Sequence, residues 1–374
     1  MPVTAPPDAP LLLAGAGHAH LHLIRHRRRL PAARVILLDP GGFWYSGMAS
    51  GVLGGQAAPG EDRLDPARLA RRHGAEAIRG RLAGLDIERR EARLDDGRRL
   101  PVAALSLNLG SRVDPPTSPP GGPRVWPVKP IPHLVALRRR LSRDFAAGRT
   151  PRLLVVGGGA SGIELAANLR ALAERHGVRP AIRLVTRGPR LLPDAPAGAA
   201  AWLSRHLAER GIEVMTGTTL TELVPGGARL AAGDAALTQP AEHLVHAAGL
   251  RPPALLDALG LPTLPGRGLA VTETLQSPAA PWLFAAGDCA AMRDHPLPRL
   301  GVYGVRQAPV LRANLAAFLS GGALAAYRPQ RRALAILNLG AGQALAIRGR
   351  LWWAGRLAMA WKRRLDEGFL AGYR

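Results

Sequence analysis

Two glycine-rich turns, each entered from an apolar run and left by a helical one, constrain this chain more than any other feature. The first is Leu11-Leu12-Leu13-Ala14-Gly15-Ala16-Gly17-His18-Ala19-His20, after which Leu21 to Arg29 has helical periodicity. Arg34 to Leu38 then reads as a strand ending in Asp39, 24 residues after Gly15. Strand, glycine turn, helix, strand and acid is the order in which a chain cradles a dinucleotide. Gly15 supplies the tight turn, Gly17 lets backbone and helix N-terminus approach a pyrophosphate, and the acid takes an adenosine ribose. His20 stands where a third glycine is usual, so it needs room between helix and strand.

The second turn is more complete. Arg152 to Val156 reads as a strand, Gly157-Gly158-Gly159-Ala160-Ser161-Gly162 fills all three glycine places, and Ile163 to Arg175 is helical. Ile182 to Thr186 is the next strand, and it ends in Thr186-Arg187 with no carboxylate. Gly157, Gly159 and Gly162 are the expected contacts of this second nucleotide. An acid at that strand end would favour a free ribose diol, whereas Arg187 or Arg190 would neutralise a 2′-phosphate. The two nicotinamide nucleotides both stay open at this point.

Later landmarks repeat at nearly the same offset. Gly15 and Gly157 are 142 residues apart. Gly110, after Ala104 to Leu109, and Gly249, after His243 to Ala248, are 139 apart. Short strands lie between helix and closing strand in both copies: Leu85 to Glu88 and Glu91 to Leu94 in the first, and Ile212 to Met215, Leu220 to Leu223 and Arg229 to Ala231 in the second. Pro281 to Ala286 reads as a buried strand leading through Gly287-Asp288 into a helix start, and Val302 to Leu319 as a helix with Pro309 near its first turns. The division expected is an outer unit of residues 1–125, an inserted unit of 126–265, the outer unit resumed over 266–330, and a tail of 331–374. At 374 residues, two domains fit better than one.

These landmarks resemble the two-dinucleotide flavoproteins of the pyridine nucleotide–disulfide oxidoreductase superfamily. Within it the chain is similar to type II NADH dehydrogenases and to a related group sometimes fused to selenide, water dikinase. The similarity is carried by Gly15 to Leu21, Tyr45-Ser46-Gly47-Met48, Val128-Lys129-Pro130, Gly287-Asp288-Cys289-Ala290, Gly301 to Gln307 and Trp361 to Phe369. It implies an α/β fold with two Rossmann-like domains of the glutathione-reductase type, the second inserted in the first, plus a C-terminal amphipathic helical tail. It also implies FAD on the outer unit and NAD(P)H on the inner one. No kinase domain is present, so selenophosphate synthesis is not assigned.

By the same resemblance the FAD contacts are Gly15, Gly17, His18, Ala19, Asp39, Ser46, Gly110, Gly287, Asp288, Arg306 and Gln307. Asp288 would take the ribityl–phosphate region beside a following helix N-terminus, and is otherwise a turn or cap residue. Glu164, two residues past Gly162, would sit near the nicotinamide–flavin junction, or else form a helix-surface salt bridge. Gln307 would lie by the flavin ring and a quinone channel. Lys129, a lysine between Val128 and Pro130 in an arginine-rich chain, would support negative charge on reduced flavin, pair with Glu164, or be an ordinary solvated lysine. Phe43, Trp44, Tyr45 and Trp126 either line the ring pocket or belong to the core.

The chemistry this implies is hydride transfer from NAD(P)H to FAD and onward to a quinone or other small acceptor. The alternatives are a soluble reductase with a protein or selenium/sulfur acceptor, and a flavoprotein sensor without turnover. Cys289 is the sole cysteine, which excludes a redox pair of the chain's own. His18, His22 and His26 share a helical spacing, yet no carboxylate or cysteine joins them, and no metal site is expected.

Lys and Arg exceed Asp and Glu by 23, and Lys129 and Lys362 are the only lysines. Such charge attracts phosphates and anionic surfaces. Nothing in the chain reads nucleic acid, and no such partner is expected. In the tail, Trp353, Leu357, Trp361, Leu365 and Phe369 recur every four residues among Arg356, Lys362, Arg363 and Arg364. A basic amphipathic helix of that kind fits an anionic membrane surface, the FAD domain or a dimer partner. No apolar run reaches 18 residues, and Leu11 to Leu13 enter the glycine turn directly rather than forming a leader. The expected setting is cytoplasmic, with or without peripheral attachment to the inner face of the membrane.

Overall fold

A computed structural model describes residues 8–330 and 332–374. The first residues of the outer unit, 1–7, and Arg331 at the start of the tail lie outside the described residues.

Each glycine turn is the centre of a five-stranded parallel sheet. In the outer sheet Leu11–Ala14 lies between Ala104–Leu107 and Val35–Asp39, with Glu76–Arg79 at one edge and Leu283–Ala285 at the other. In the inner sheet Leu153–Val156 lies between His243–His246 and Ile182–Val185, with Ile212–Met215 and Arg124–Pro127 at the edges. The central strands are apolar throughout because helices cover both faces. Leu11, Leu12, Leu13, Leu105, Leu107 and Phe284 are fully buried, and each such side chain contributes about 1.5–3 kcal/mol.

The outer sheet is completed by a strand lying more than 130 residues beyond Gly110, after the whole inner sheet has been built. This pairing of Leu283–Ala285 with Ala104–Leu107 makes the inner unit an insertion. The proline-rich crossing is more than a linker, since Arg124–Pro127 pairs with His243–His246 as the inner sheet's edge. An edge is where a strand ending in proline is tolerated.

Four local expectations need correction. The strand expected at Leu85 to Glu88 runs Leu82–Asp86. Gly287–Cys289 is a single 3-10 turn followed by the strand Ala290–Met292, so no helix starts there. Pro296 and Pro298 delay the helix until Gly301, and Pro309 falls in its middle rather than its first turns. The tail begins as a three-stranded antiparallel sheet, Leu334–Asn338, Ala344–Arg348 and Leu351–Gly355, and only Arg356–Ala371 is helical. Trp353 is therefore on a strand. Leu337 and Leu345 of this sheet, and Leu339 in the turn between them, are buried in the inner unit's core.

Candidate active site

The outer turn is organised by a residue that no sequence motif marks. Asn108, just beyond the closing strand, accepts hydrogen bonds on Oδ1 from the backbone N–H groups of Ala19 (3.0 Å) and His20 (3.3 Å). Its Nδ2 donates to the Ala286 carbonyl at 2.6 Å. It thus caps the helix His18–Arg25 from another strand, and the Ala19 amide is not free for a phosphate. A Cβ on Gly17 would collide with Asn108 Oδ1, and one on Gly287 would come 2.8 Å from Nδ2. The only signal in the sequence is a lone amide in the buried run Leu105 to Leu109.

His20 fills the place of the missing third glycine. Its Nδ1 lies 2.5 Å from the Gly15 carbonyl and its Nε2 lies 2.8 Å from Ser106 Oγ. Because the carbonyl can only accept, Nδ1 carries the proton and the serine hydroxyl donates to Nε2. Burial keeps the ring neutral, with its pKa pushed down to about 4. Asp39 accepts from Ala16 N–H at 3.0 Å and Gly41 N–H at 2.9 Å, so it ties the turn to the neighbouring strand, and burial pushes its pKa up.

Beyond the edge strand Leu283–Ala285, Gly287 N–H donates to Gln307 Oε1 at 2.7 Å, with Gln307 itself buried. Asp288 Oδ2 accepts from Ser111 Oγ at 2.6 Å and from Lys129 Nζ at 3.0 Å. Lys129 therefore pairs with Asp288, not with Glu164. Arg306 is exposed on the helix that carries Gln307, and Ser46 is exposed at the first turn of its own. The structure brings neither into this cluster. Trp126 is buried in the inner core, where its Nε1 donates to His243 Nδ1 at 3.1 Å, so it lines no ring pocket. Phe43 is buried edge-on to His18 at 5.1 Å between centroids, and Trp44 lies under Arg63. The rings of His22 and His26 pack against each other, and no metal-binding cluster occurs among the described residues.

Glu164 stands where the two units meet the tail. Its Oε1 accepts from Ser50 Oγ of the outer unit at 3.2 Å and from Asn338 N–H of the tail sheet at 2.7 Å. Burial raises its pKa, opposed chiefly by the Lys362 ammonium. By sequence Lys362 belongs to the charges around the amphipathic stripe, yet it is only 7% exposed and points inward. It donates to the Gly47 carbonyl at 2.6 Å and to Asp366 Oδ2 at 2.9 Å, while Asp366 Oδ1 accepts from Tyr45 Oη at 2.9 Å. Burial raises the Asp366 pKa as well. A signal for this role exists, since Lys362 is one of two lysines in an arginine-rich chain.

The inner turn divides its glycines by task. A Cβ on Gly162 would strike the Gly157 carbonyl, so this position sets the close packing of helix on strand. A Cβ on Gly159, or on Gly110 in the outer unit, would meet no atom within 4 Å. The inner turn at Gly159 and the loop at Gly110 thus face free space, as a phosphate cradle requires. The same order of glycines, strands and helices is what residues 10–309 match in the profile of the pyridine nucleotide-disulphide oxidoreductases. The chain belongs to that family.

Among curated members of this oxidoreductase family, a NADH dehydrogenase-like protein of Mycobacterium tuberculosis is 28% identical over 241 residues, 62% of this chain and 58% of that protein. The chain thus spans less than two thirds of that relative's length. Two solved structures share the fold. The sulfide:quinone oxidoreductase of Aquifex aeolicus superimposes with a TM-score of 0.82 at 16% identity, covering 98% of this chain and 91% of that one. NDH2 of Plasmodium falciparum, in complex with NADH, gives 0.81 at 13% identity, covering 98% and 97%. The open turns, the acid at Asp39 and the Asp288–Lys129 pair fit an FAD on the outer unit, and Gly157 to Gly162 fit a nicotinamide dinucleotide on the inner one.

Proposed function

We propose that this oxidoreductase is an FAD-dependent NAD(P)H dehydrogenase that delivers electrons to a quinone or similar small acceptor at a membrane surface. The observation that carries the reading is the Ser50–Glu164 hydrogen bond, which holds the first turns of the inner helix against the outer unit. Both glycine turns belong to the two units that this bond joins, and each would hold one dinucleotide. The relatives' names, a NADH dehydrogenase-like protein and an NDH2 bound to NADH, support it.

Bound FAD would supply the hydride-accepting ring, and the protein's part is to bind, orient and manage protons. Gly15, Gly17, Asp39 and Asp288 would hold the flavin nucleotide, and Gly157 and Gly159 the reductant, with Gly162 packing the helix against the turn. Lys129 places a positive charge beside Asp288. With the hydride of NAD(P)H supplying one hydrogen and both electrons, reduction of a quinone to a quinol takes up one further proton. Lys362, Asp366 and Tyr45 form a hydrogen-bonded run beside the Gly47 carbonyl, with Glu164 close enough to feel the Lys362 charge, that would deliver it. Cys289 plays no redox part: its Sγ is buried against the Leu107 and Ala286 carbonyls, and burial pushes its pKa up to about 11.

The surface next to this run is apolar. Leu351, Trp353, Leu357, Trp361 and Leu365 are exposed, Trp353 stacks on Trp361 at 5.3 Å, and Arg350, Arg356, Arg363 and Arg364 surround them. No helix of the described residues is long and apolar enough to cross a membrane. Such a patch suits a protein lying on anionic lipid, where a lipid-soluble acceptor is found.

The test is spectroscopic. Purified protein should be yellow, bleach anaerobically with NADH or NADPH, and recover colour on addition of a soluble quinone analogue. A folded protein that is colourless and refuses FAD removes the proposal. One that is yellow but never bleaches leaves only flavin binding.

A further inference from the structure

We infer that the end of the strand Ile182–Val185 selects a dinucleotide carrying a phosphate on its adenosine 2′ oxygen, an inference that rests on the nucleotide reading of the inner unit. The strand following a glycine turn delivers its next residue to the adenosine ribose, and a carboxylate there accepts hydrogen bonds from both ribose hydroxyls. Here that residue is Thr186. Its hydroxyl is committed locally, accepting from Gly188 N–H at 3.3 Å, and it packs so tightly beneath the turn that a Cβ on Gly158 would strike it. It offers no charge to a diol.

The loop beyond Thr186 is positive and uncompensated. Arg187 is exposed. Arg190 donates to the Pro193 carbonyl, which anchors its guanidinium without neutralising it. Among the described residues neither arginine forms an ion pair. Glu213 on the adjoining strand is taken by Arg183 at 2.7 Å, and exposed Asp194 pairs with neither. A diol offers two unpaired guanidinium groups in this position only neutral acceptor oxygens. A 2′-phosphate, a dianion with several acceptor oxygens, gains charge-assisted hydrogen bonds from both.

Calorimetric titration of the full-length, FAD-loaded protein with fragments lacking nicotinamide separates this inference from catalysis. The probes are 2′,5′-ADP, 3′,5′-ADP and 5′-AMP. The second carries the same charge as the first on the neighbouring oxygen, and so controls for the basic surface of the chain. Binding of 2′,5′-ADP should be on the order of tenfold tighter than either of the others. Arg187→Ala should abolish most of that preference without changing the melting temperature, and Arg190→Ala should reduce it. Equal affinity for 2′,5′-ADP and 3′,5′-ADP overturns the inference and leaves the nucleotide reading standing. So does a preference that survives both substitutions. Failure to bind any of the three overturns the nucleotide reading of the inner unit together with this one.

Discussion

The backbone N–H of Asn338, in the tail sheet, donates to Oε1 of Glu164, in the inner unit, at 2.7 Å. The tail therefore reaches the junction where Glu164 meets Ser50. Asn338 is buried as well as bonded, its Nδ2 donating to Gln56 Oε1 at 2.8 Å, and the Asn168 amide donates to the Asn338 carbonyl at 2.9 Å. One strand joins both nucleotide units.

A chain ending at residue 330 should accordingly lose more than a surface helix. It loses Leu337, Leu339 and Leu345 from the inner core, and burial of each contributes about 1.5–3 kcal/mol. We expect a large fall in melting temperature, or insoluble protein. A truncated form melting within a few degrees of the full chain would show that the tail sheet does not stabilise the inner unit.

Glu164→Gln separates charge from shape, since an amide oxygen can accept from both Ser50 and Asn338. Burial raises the native-state pKa of Glu164, so the folded protein favours the protonated form. That stability is fully present below the unfolded-state pKa and is lost as pH rises through the raised native value. The neutral variant escapes this loss. Its melting temperature relative to wild type should climb from the ordinary carboxylate range upward, and quinone reduction should slow. A difference flat with pH would mean that Glu164 titrates normally.

The two kinds of glycine should answer differently to a methyl group. Gly17→Ala drives a Cβ into Asn108 Oδ1 and disrupts the cap on two amides, which should cost about 1–3 kcal/mol and lower flavin content. Gly159→Ala meets no atom and its backbone is extended, so stability should hold while affinity for the nicotinamide nucleotide falls. Chemical denaturation and nucleotide titration of both variants check this. Equal destabilisation would deny the division of tasks.

His20 supplies a pH test. Its pKa is pushed down to about 4, so the neutral ring is favoured in the folded state. The stability it lends is present above its ordinary value near 6.5 and is lost as pH falls toward 4. His20→Gly removes two hydrogen bonds and leaves a cavity, and should cost about 2–4 kcal/mol at about pH 7. The variant should also lose less stability than wild type between pH 6.5 and 4, as measured by urea unfolding. An unchanged acid slope would place the sensitivity elsewhere, with His18 and His22, which burial lowers similarly, as the next candidates.

Legibility here is a matter of range in sequence. The paired sheets can be read because each glycine turn, its helix and its flanking strands are local patterns, and the repeat supports one by the other. Asn108 and Lys362 escape such a reading because their partners, Ala286 and Gly47, lie 178 and 315 residues away, and no local periodicity encodes that distance. Of the tail strands, Leu351–Gly355 is hidden because a four-residue apolar spacing from Trp353 onward looks helical. The turns at Gly340-Ala341-Gly342 and Gly349-Arg350 are the signal that betrays them. Phe369 completes the stripe by spacing but turns inward to stack on Tyr45 at 4.5 Å.

The stripe itself gives a lipid test that spares the fold. Leu357 is 84% exposed and Leu365 46%, and neither belongs to a core cluster, so Leu357→Glu with Leu365→Glu should leave the melting temperature unchanged. Burying the two leucines in the headgroup region would be worth roughly 1.5–3 kcal/mol each, and the adjoining arginines add attraction to anionic lipid. Wild-type protein should float with vesicles containing phosphatidylglycerol, less so at high salt. The double variant should stay with the soluble fraction and still reduce a water-soluble quinone analogue. Flotation unaffected by the two glutamates would assign the exposed apolar face to something other than lipid.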